Sequence, residues 1–155
     1  MIMIDEAISA LKAISIAEPR IGPPPSADLI AAAETKLSCK FPPSFLKFLA
    51  VAGSYQLSFW ETYWVGPCDR DDIVEMNRQE REEASSPLPS YLVAFFNNGM
   101  GDQICFDTRT IDDNREYPIV FWNHELSQEE NLKQLEQIAP NFAEWLMDEV
   151  KASDS

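Results

Sequence analysis

The side chains that could do chemistry in this chain are few and scattered. There is one histidine, His124, beside Glu125, and there are three cysteines, Cys39, Cys68 and Cys105. A Ser-His-Asp or Cys-His arrangement would have to use His124, yet no G-x-S-x-G or reactive-cysteine signature accompanies it. At the end of an apolar run it reads as a structural or surface-exposed histidine. The cysteine count is odd and no C-x-x-C occurs, so neither a disulfide framework nor a zinc site is expected. Cys105, between Ile104 and Phe106, reads as a small buried hydrophobe. Asp102, Asp107, His124 and Glu125 are donors that a metal would choose. But Asp102 and Asp107 lie at opposite ends of one predicted strand, about 15 Å apart at ~3.3 Å per residue, too far for one mononuclear site. Phosphate-binding loops are missing: Gly99-Met100-Gly101 is too short for one, and Asp102 after it would repel phosphate. The expectation is a protein that is not an enzyme, with no catalytic residue, no metal and no cofactor.

Charge narrows the partners. The 155 residues carry 26 acidic and 12 basic side chains, a net charge of −14. Such a surface argues against a nucleic-acid binder, which needs cations for phosphates, and against docking on an anionic membrane. It suits a basic protein partner, because opposite potentials steer the encounter; solubility alone is the plainer use of such charge. The start, Met1-Ile2-Met3-Ile4-Asp5-Glu6, lacks the basic region of a secretory signal. No apolar stretch approaches the ~18 residues that a membrane span needs. The cytoplasm is the expected compartment.

The elements that position these residues centre on a hairpin. Tyr91-Leu92-Val93-Ala94-Phe95-Phe96 is apolar at both parities, as in a strand covered on both faces. Asn97-Asn98-Gly99-Met100-Gly101-Asp102 supplies a turn, and Gln103-Ile104-Cys105-Phe106-Asp107 resumes with alternation. Asn-Gly between apolar runs is a strong hairpin signal; the extra length and Gly101 predict a loop or bulge rather than a minimal turn. Tyr117-Pro118-Ile119-Val120-Phe121-Trp122 reads as a further strand. The aromatic stretch 55–65 reads as two short strands turning near Glu61-Thr62, or one bent strand.

Helices are predicted around this sheet. The first runs over 5–17, with Pro19 ending it. The second is capped by Ser26, and Glu34 on its flank is either a surface charge or a cap for nearby backbone. The third follows Phe41-Pro42-Pro43, where proline suits the first helical position, and Gly53 is its stop. The stretch 71–84 predicts a polar helix anchored only by Ile73, Val74 and Met76, its later turns standing in water, with Arg78 paired to Glu75 and Glu82. Residues 107–116 form a polar loop. Leu132, Leu135 and Ile138 repeat at helical spacing over 128–138. Asn141 and Glu144 resemble a capping box for the last helix, and 151–155 should fray.

A family resemblance rests on the order of these motifs. It comprises Glu34 on an early helix, the run Phe-Pro-Pro-Ser-Phe-Leu-Lys-Phe-Leu over 41–49, then Gly53. Asn98-Gly99-Met100-Gly101-Asp102, Cys105-Phe106-Asp107 and the Tyr117 to Trp122 strand leading to His124-Glu125 follow, and Phe142-Ala143-Glu144-Trp145-Leu146 closes it. In this the chain resembles the SUKH superfamily, the Smi/Knr-like cell-wall-assembly regulators, over about 21–150. The departure is Ala52-Gly53-Ser54, where the family usually has a longer Gly or Asn cluster.

The resemblance implies an α+β fold: one domain over 1–155, with a central, mainly antiparallel sheet and helices packed around it. Bacterial members are typically immunity proteins that bind and neutralise a cognate polymorphic toxin, often a nuclease. Fungal members are non-catalytic adaptors of cell-wall regulation. The family brings no catalytic residue or cofactor. A basic toxin would meet Asp71, Asp72, Glu75, Asp102, Asp112, Asp113 and Glu116, with Trp60 and Trp64 as aromatic anchors. Asn98, Gly99, Gly101, Asp102 and Asp107 form the structural motif, the first four building a turn.

Overall fold

The computed structural model describes residues 2–14, 17–19, 24–52, 55–57, 60–66 and 72–153, with backbone alone at 17–19, 52, 55–57 and 60–61. Seven strands form one sheet in which each pairs antiparallel with the next in sequence. They are β1 (Ala17–Pro19), β2 (Tyr55–Leu57), β3 (Trp60–Thr62), β4 (Leu92–Asn97), β5 (Gln103–Asp107), β6 (Ile119–Trp122) and β7 (Glu136–Ala139). The helices are α1 (Ile4–Ala13), α2 (Ala27–Leu37), α3 (Pro43–Ala52), α4 (Ile73–Glu82), α5 (Gln128–Lys133) and α6 (Phe142–Ser153). The architecture is α+β with a central antiparallel sheet, as the resemblance implied.

The hairpin β4–β5 is the buried centre. Every β5 residue is buried, and so is β4 except at its last residue. The expected irregularity takes two forms. A register shift between Ala94 and Phe96 makes a bulge, and residues 98–102 form a loop. Without the bulge, strand alternation would point Phe95 and Phe96 to opposite faces. With it, both rings lie 4.9 Å from Trp145. This face is an aromatic core. Phe106 stacks on Phe95 at 4.4 Å, and Phe45 of α3 and Phe142 of α6 meet both rings. Burying each such ring contributes roughly 1.5–3 kcal/mol.

The opposite face carries smaller and more polar side chains. Ala94 faces Cys105 across the hairpin, with Gln103 and Asp107 on the same side of β5. Here α4 is attached through hydrogen bonds as well as through Ile73, Val74 and Met76 near its start. Asn77, fully buried, donates from Nδ2 to the Ile73 and Ala94 carbonyls and accepts the Ala94 N–H at Oδ1, each at 2.8 Å. Its amide thus pairs both backbone groups of Ala94, as a neighbouring strand would. Arg81 donates to the Ser90 and Leu92 carbonyls at the start of β4.

Several boundaries differ from expectation. The first helix ends at Ala13, because Ile14 is already extended; residues 17–19 join the sheet as an edge strand, where proline is tolerated. The aromatic stretch is two strands, but the chain reverses between Leu57 and Trp60 rather than at Glu61-Thr62. The later turns of α4 stand in water on one face only, at Arg78, Gln79 and Glu82, while Asn77, Glu80 and Arg81 on the other meet the sheet or its flanking strand. Stretch 128–138 is a short helix capped by Ser127 and Glu130, followed by a strand. Pro140 biases Ala139 against helix, and β7 takes up the open edge of β6. Asn141 caps α6 through the Glu144 N–H, but the Glu144 carboxylate accepts the Ile2 N–H instead of closing a box. Helix α6 continues to Ser153 instead of fraying at 151. Gly53 and Asp71 lie outside the described residues.

Candidate interaction surface

The turn between β4 and β5 is built by its own side chains. The Asn97 carboxamide oxygen accepts the Gly99 N–H, and that of Asn98 accepts the Met100 and Asp102 N–H groups. Gly99 and Gly101 take φ of 79° and 97°, a region that side-chain-bearing residues rarely adopt. A Cβ on Gly101 would also lie 3.1 Å from the His124 ring. Asp102 accepts from Asn98 Nδ2 with one oxygen. With the other it takes the His124 backbone N–H at 3.1 Å and meets His124 Nδ1 at 2.7 Å. The side chains of Asn98 and Asp102 and the two glycines thus shape the turn, and His124 fastens it to the end of β6. Burial pushes the Asp102 carboxyl up, but bonds from Asn98 and His124 outweigh it and hold it below its ordinary value. The same contact raises His124 above 6.5. Met100, 71% exposed, stands at the tip.

The start of α4 holds a second group. Asp72 caps the helix by accepting the Val74 N–H at 3.0 Å, and burial raises its carboxyl. Trp64 is half-buried; its carbonyl accepts the Ile73 N–H, and it forms an isolated parallel bridge with Asp72. Glu75 is exposed and engaged. It clamps Arg78, which also reaches Glu82 and Glu83, and the hydrogen bonds from Arg78 hold Glu75 at about 2. The Trp60 side chain and Asp71 lie outside the described residues.

The third group lies at the other end of β5. Asp107 is bidentate with Arg109, whose guanidinium lies 4.3 Å from the centre of the Tyr91 ring. Asp112 accepts the Asn114 and Glu116 N–H groups and so closes a tight turn, and Asp113 is exposed on it. Glu116 turns inward and is only 8% exposed. Its two oxygens accept the Ser44 N–H at 2.9 Å and the Ser44 hydroxyl at 2.6 Å. The sequence explains why. In Phe41-Pro42-Pro43-Ser44 the prolines have no N–H, and Pro42 offers no capping oxygen for α3. The two remaining N–H groups go to carboxylates: Phe41 to Glu34 at 2.7 Å and Ser44 to Glu116. Glu34 is thus a backbone cap. Glu116 does not belong to an exposed acidic face, because it is the distant cap of α3.

The candidate contact residues fall in three places. The turn at 98–102 and the one at 112–116 lie at opposite ends of β5, about 16 Å of strand apart at ~3.3 Å per residue. The exposed carboxylates among them are Glu75, Asp112 and Asp113, with Asp72 and Asp102 half-buried. Pattern reading missed Asn77, Gln103 and Glu80. The Tyr63 hydroxyl donates to Gln103, which donates to Glu80 at 2.7 Å. The only hint was position: Asn77 and Glu80 fall four and seven residues after Ile73, on the helix face turned to the sheet.

His124 meets a carboxylate, but no hydroxyl or thiol is hydrogen-bonded to it among the described residues. Burial pushes the Cys39 thiol up to about 11 and Cys105 higher still, so neither is a thiolate at neutral pH. Among the described residues no group of three or more His, Cys, Asp and Glu could hold a metal ion. No helix among them is long and apolar enough to cross a membrane.

Comparison with known proteins agrees with the fold. A crystal structure of a protein from Pseudomonas syringae pv. tomato superimposes with a TM-score of 0.58 at 19% identity, covering 77% of this chain and 83% of that one. No curated protein matches at a significant level. The SMI1-KNR4 cell-wall family model, SUKH_5, matches residues 4–151, so its span takes in α1, which lay outside the stretch on which the resemblance was read. Over nearly its whole length, then, the chain belongs to the SMI1-KNR4 cell-wall family.

Proposed function

We propose that this protein is an immunity protein that binds and neutralises a cognate polymorphic toxin, a basic nuclease-type protein, by protein–protein contact. The family match over 4–151 carries the reading. Net charge supports it: a chain at −14 approaches a phosphate-gripping toxin quickly and can occupy its cationic surface. The contact residues are Asp72, Glu75, Asp102, Asp112 and Asp113, with Asp71 and Trp60 joining them and Trp64 backing the start of α4. They form separate patches that a toxin must span or choose between. The protein works in the cytoplasm of the toxin-producing bacterium and its siblings, without nucleic acid or membrane as ligand.

The test is growth rescue on co-expression with the toxin encoded beside this gene. Reversing Asp113 to Lys, and separately Glu75, should slow association at low salt and weaken rescue while the fold survives. Unchanged affinity at low salt in both variants would sink the electrostatic proposal. A second reading, a non-catalytic adaptor of cell-wall regulation, is favoured by the family's own description. It predicts no rescue from any neighbouring toxin and a cell-wall phenotype on deletion.

A further inference from the structure

Beside the buried carboxylate of Glu116 lies a cavity of about 230 Å³ between α1, α3, the start of α6 and the 112–116 turn. It is smaller than the about 300–1,000 Å³ of pockets that hold whole small molecules, and its scale is that of a single long side chain. Ile2, Ile4, Pro43 and Ala143 give it apolar walls. Glu116 lines it as well, and its partners are the neutral donors of Ser44. Among the described residues no cation pairs with it.

A buried charge without a counter-ion is costly. The N-terminus of α3 offsets part of this charge, though a helix end carries only about half a unit. Lys47 also lines the cavity; it is exposed at the mouth, with Nζ 3.9 Å from Asp5. A cation on an aliphatic stem satisfies both features, since methylenes cover apolar walls while the charged head reaches the carboxylate.

We propose that this cavity is a socket for one arginine or lysine side chain of a protein partner, with Glu116 as its anionic floor. The proposal rests on the reading that the protein acts by binding a basic protein, and it gives Glu116 a second role beside capping. Such a recess would hold an anchoring residue at the centre of an interface.

The probe is Nα-acetyl-arginine amide, titrated into the whole protein by NMR, with Nα-acetyl-citrulline amide as its neutral isostere. Arginine amide should give saturable shifts at Ser44, Lys47, Asn114 and Glu116, and citrulline amide should bind at least tenfold more weakly. Glu116→Gln keeps an acceptor for Ser44 and removes the charge, and should lose affinity by a similar factor. Asn114→Arg, at an exposed wall position, should fill the socket from within and abolish the shifts without lowering the unfolding temperature. Absent shifts, equal binding of citrulline amide, or full binding by Asn114→Arg would each overturn the socket. A neighbouring toxin captured equally by Asn114→Arg would overturn the socket and leave toxin binding standing. Failure of the wild type to rescue, with arginine still bound, would overturn the toxin reading alone.

Discussion

The two faces of the β4–β5 hairpin are held by different forces. One is covered by α3 and α6 through interlocking aromatic rings around Phe95, Phe106 and Phe142. The other is covered by α4, whose first turn packs through Ile73, Val74 and Met76 and whose later turns add directed bonds: Asn77 and Arg81 donate to β4 and Glu80 accepts from Gln103. Ring packing is strong but only loosely directional, so neighbouring registers can share much of the same burial. Hydrogen bonds to a single backbone unit, here Ala94, permit one register. The aromatic side therefore supplies most of the stability, and the polar side fixes where the helix sits. The bulge serves both: it turns Phe95 and Phe96 to the aromatic side, beside the Ala94 groups that Asn77 pairs.

This contrast can be broken from either side. Phe142→Ala should show the largest effect, about 3–5 kcal/mol of lost stability in denaturant unfolding, since the cavity opens among several rings. A loss below about 1 kcal/mol would mean that the aromatic side does not dominate. Asn77→Leu keeps the volume but leaves the buried N–H and C=O of Ala94 unpaired, for about 2–4 kcal/mol. It should also speed hydrogen exchange along α4 more than along α6; uniform exchange would deny the polar side its positioning role.

The smallest effect concerns the solvent end of the polar side, where His124 holds the 98–102 turn. The folded-state value of His124 is raised above 6.5 by Asp102. Its stabilisation is therefore complete below 6.5 and is lost as pH rises through the folded value. Asp102 has the opposite sign: its value is lowered, so its share is present above 3.8 and lost as pH falls through the folded value. NMR titration of the imidazole should give a midpoint above 6.5, and Asp102→Asn should bring it down. A wild-type midpoint at or below 6.5 would refute the pairing.

Much of this was legible because it is local. Ser26 caps α2, Pro43 opens α3, and Asn98-Gly99 with Gly101 makes the turn, each through groups within a few residues. The Glu75–Arg78–Glu82 cluster follows from helix geometry alone. What escaped depends on distant partners. Strand β7 exists because β6 has an open edge, and the spacing of Leu132, Leu135 and Ile138 pointed the other way. Glu116 looked like surface charge in a polar loop, and nothing nearby in sequence hints that Ser44 will claim it. Asn77 reads as one more polar residue of a polar helix until Ala94 is placed beside it.

The sequence by itself determined the hairpin at the centre, the negative charge and most of the helices, since these follow from periodicity, composition and short-range capping, and the order of its motifs implied the class of fold through the family resemblance. Only the tertiary structure decided which carboxylates remain on the surface. A carboxylate's role depends on the donors it meets, and for Glu34, Asp102 and Glu116 those donors lie 7, 22 and 72 residues away.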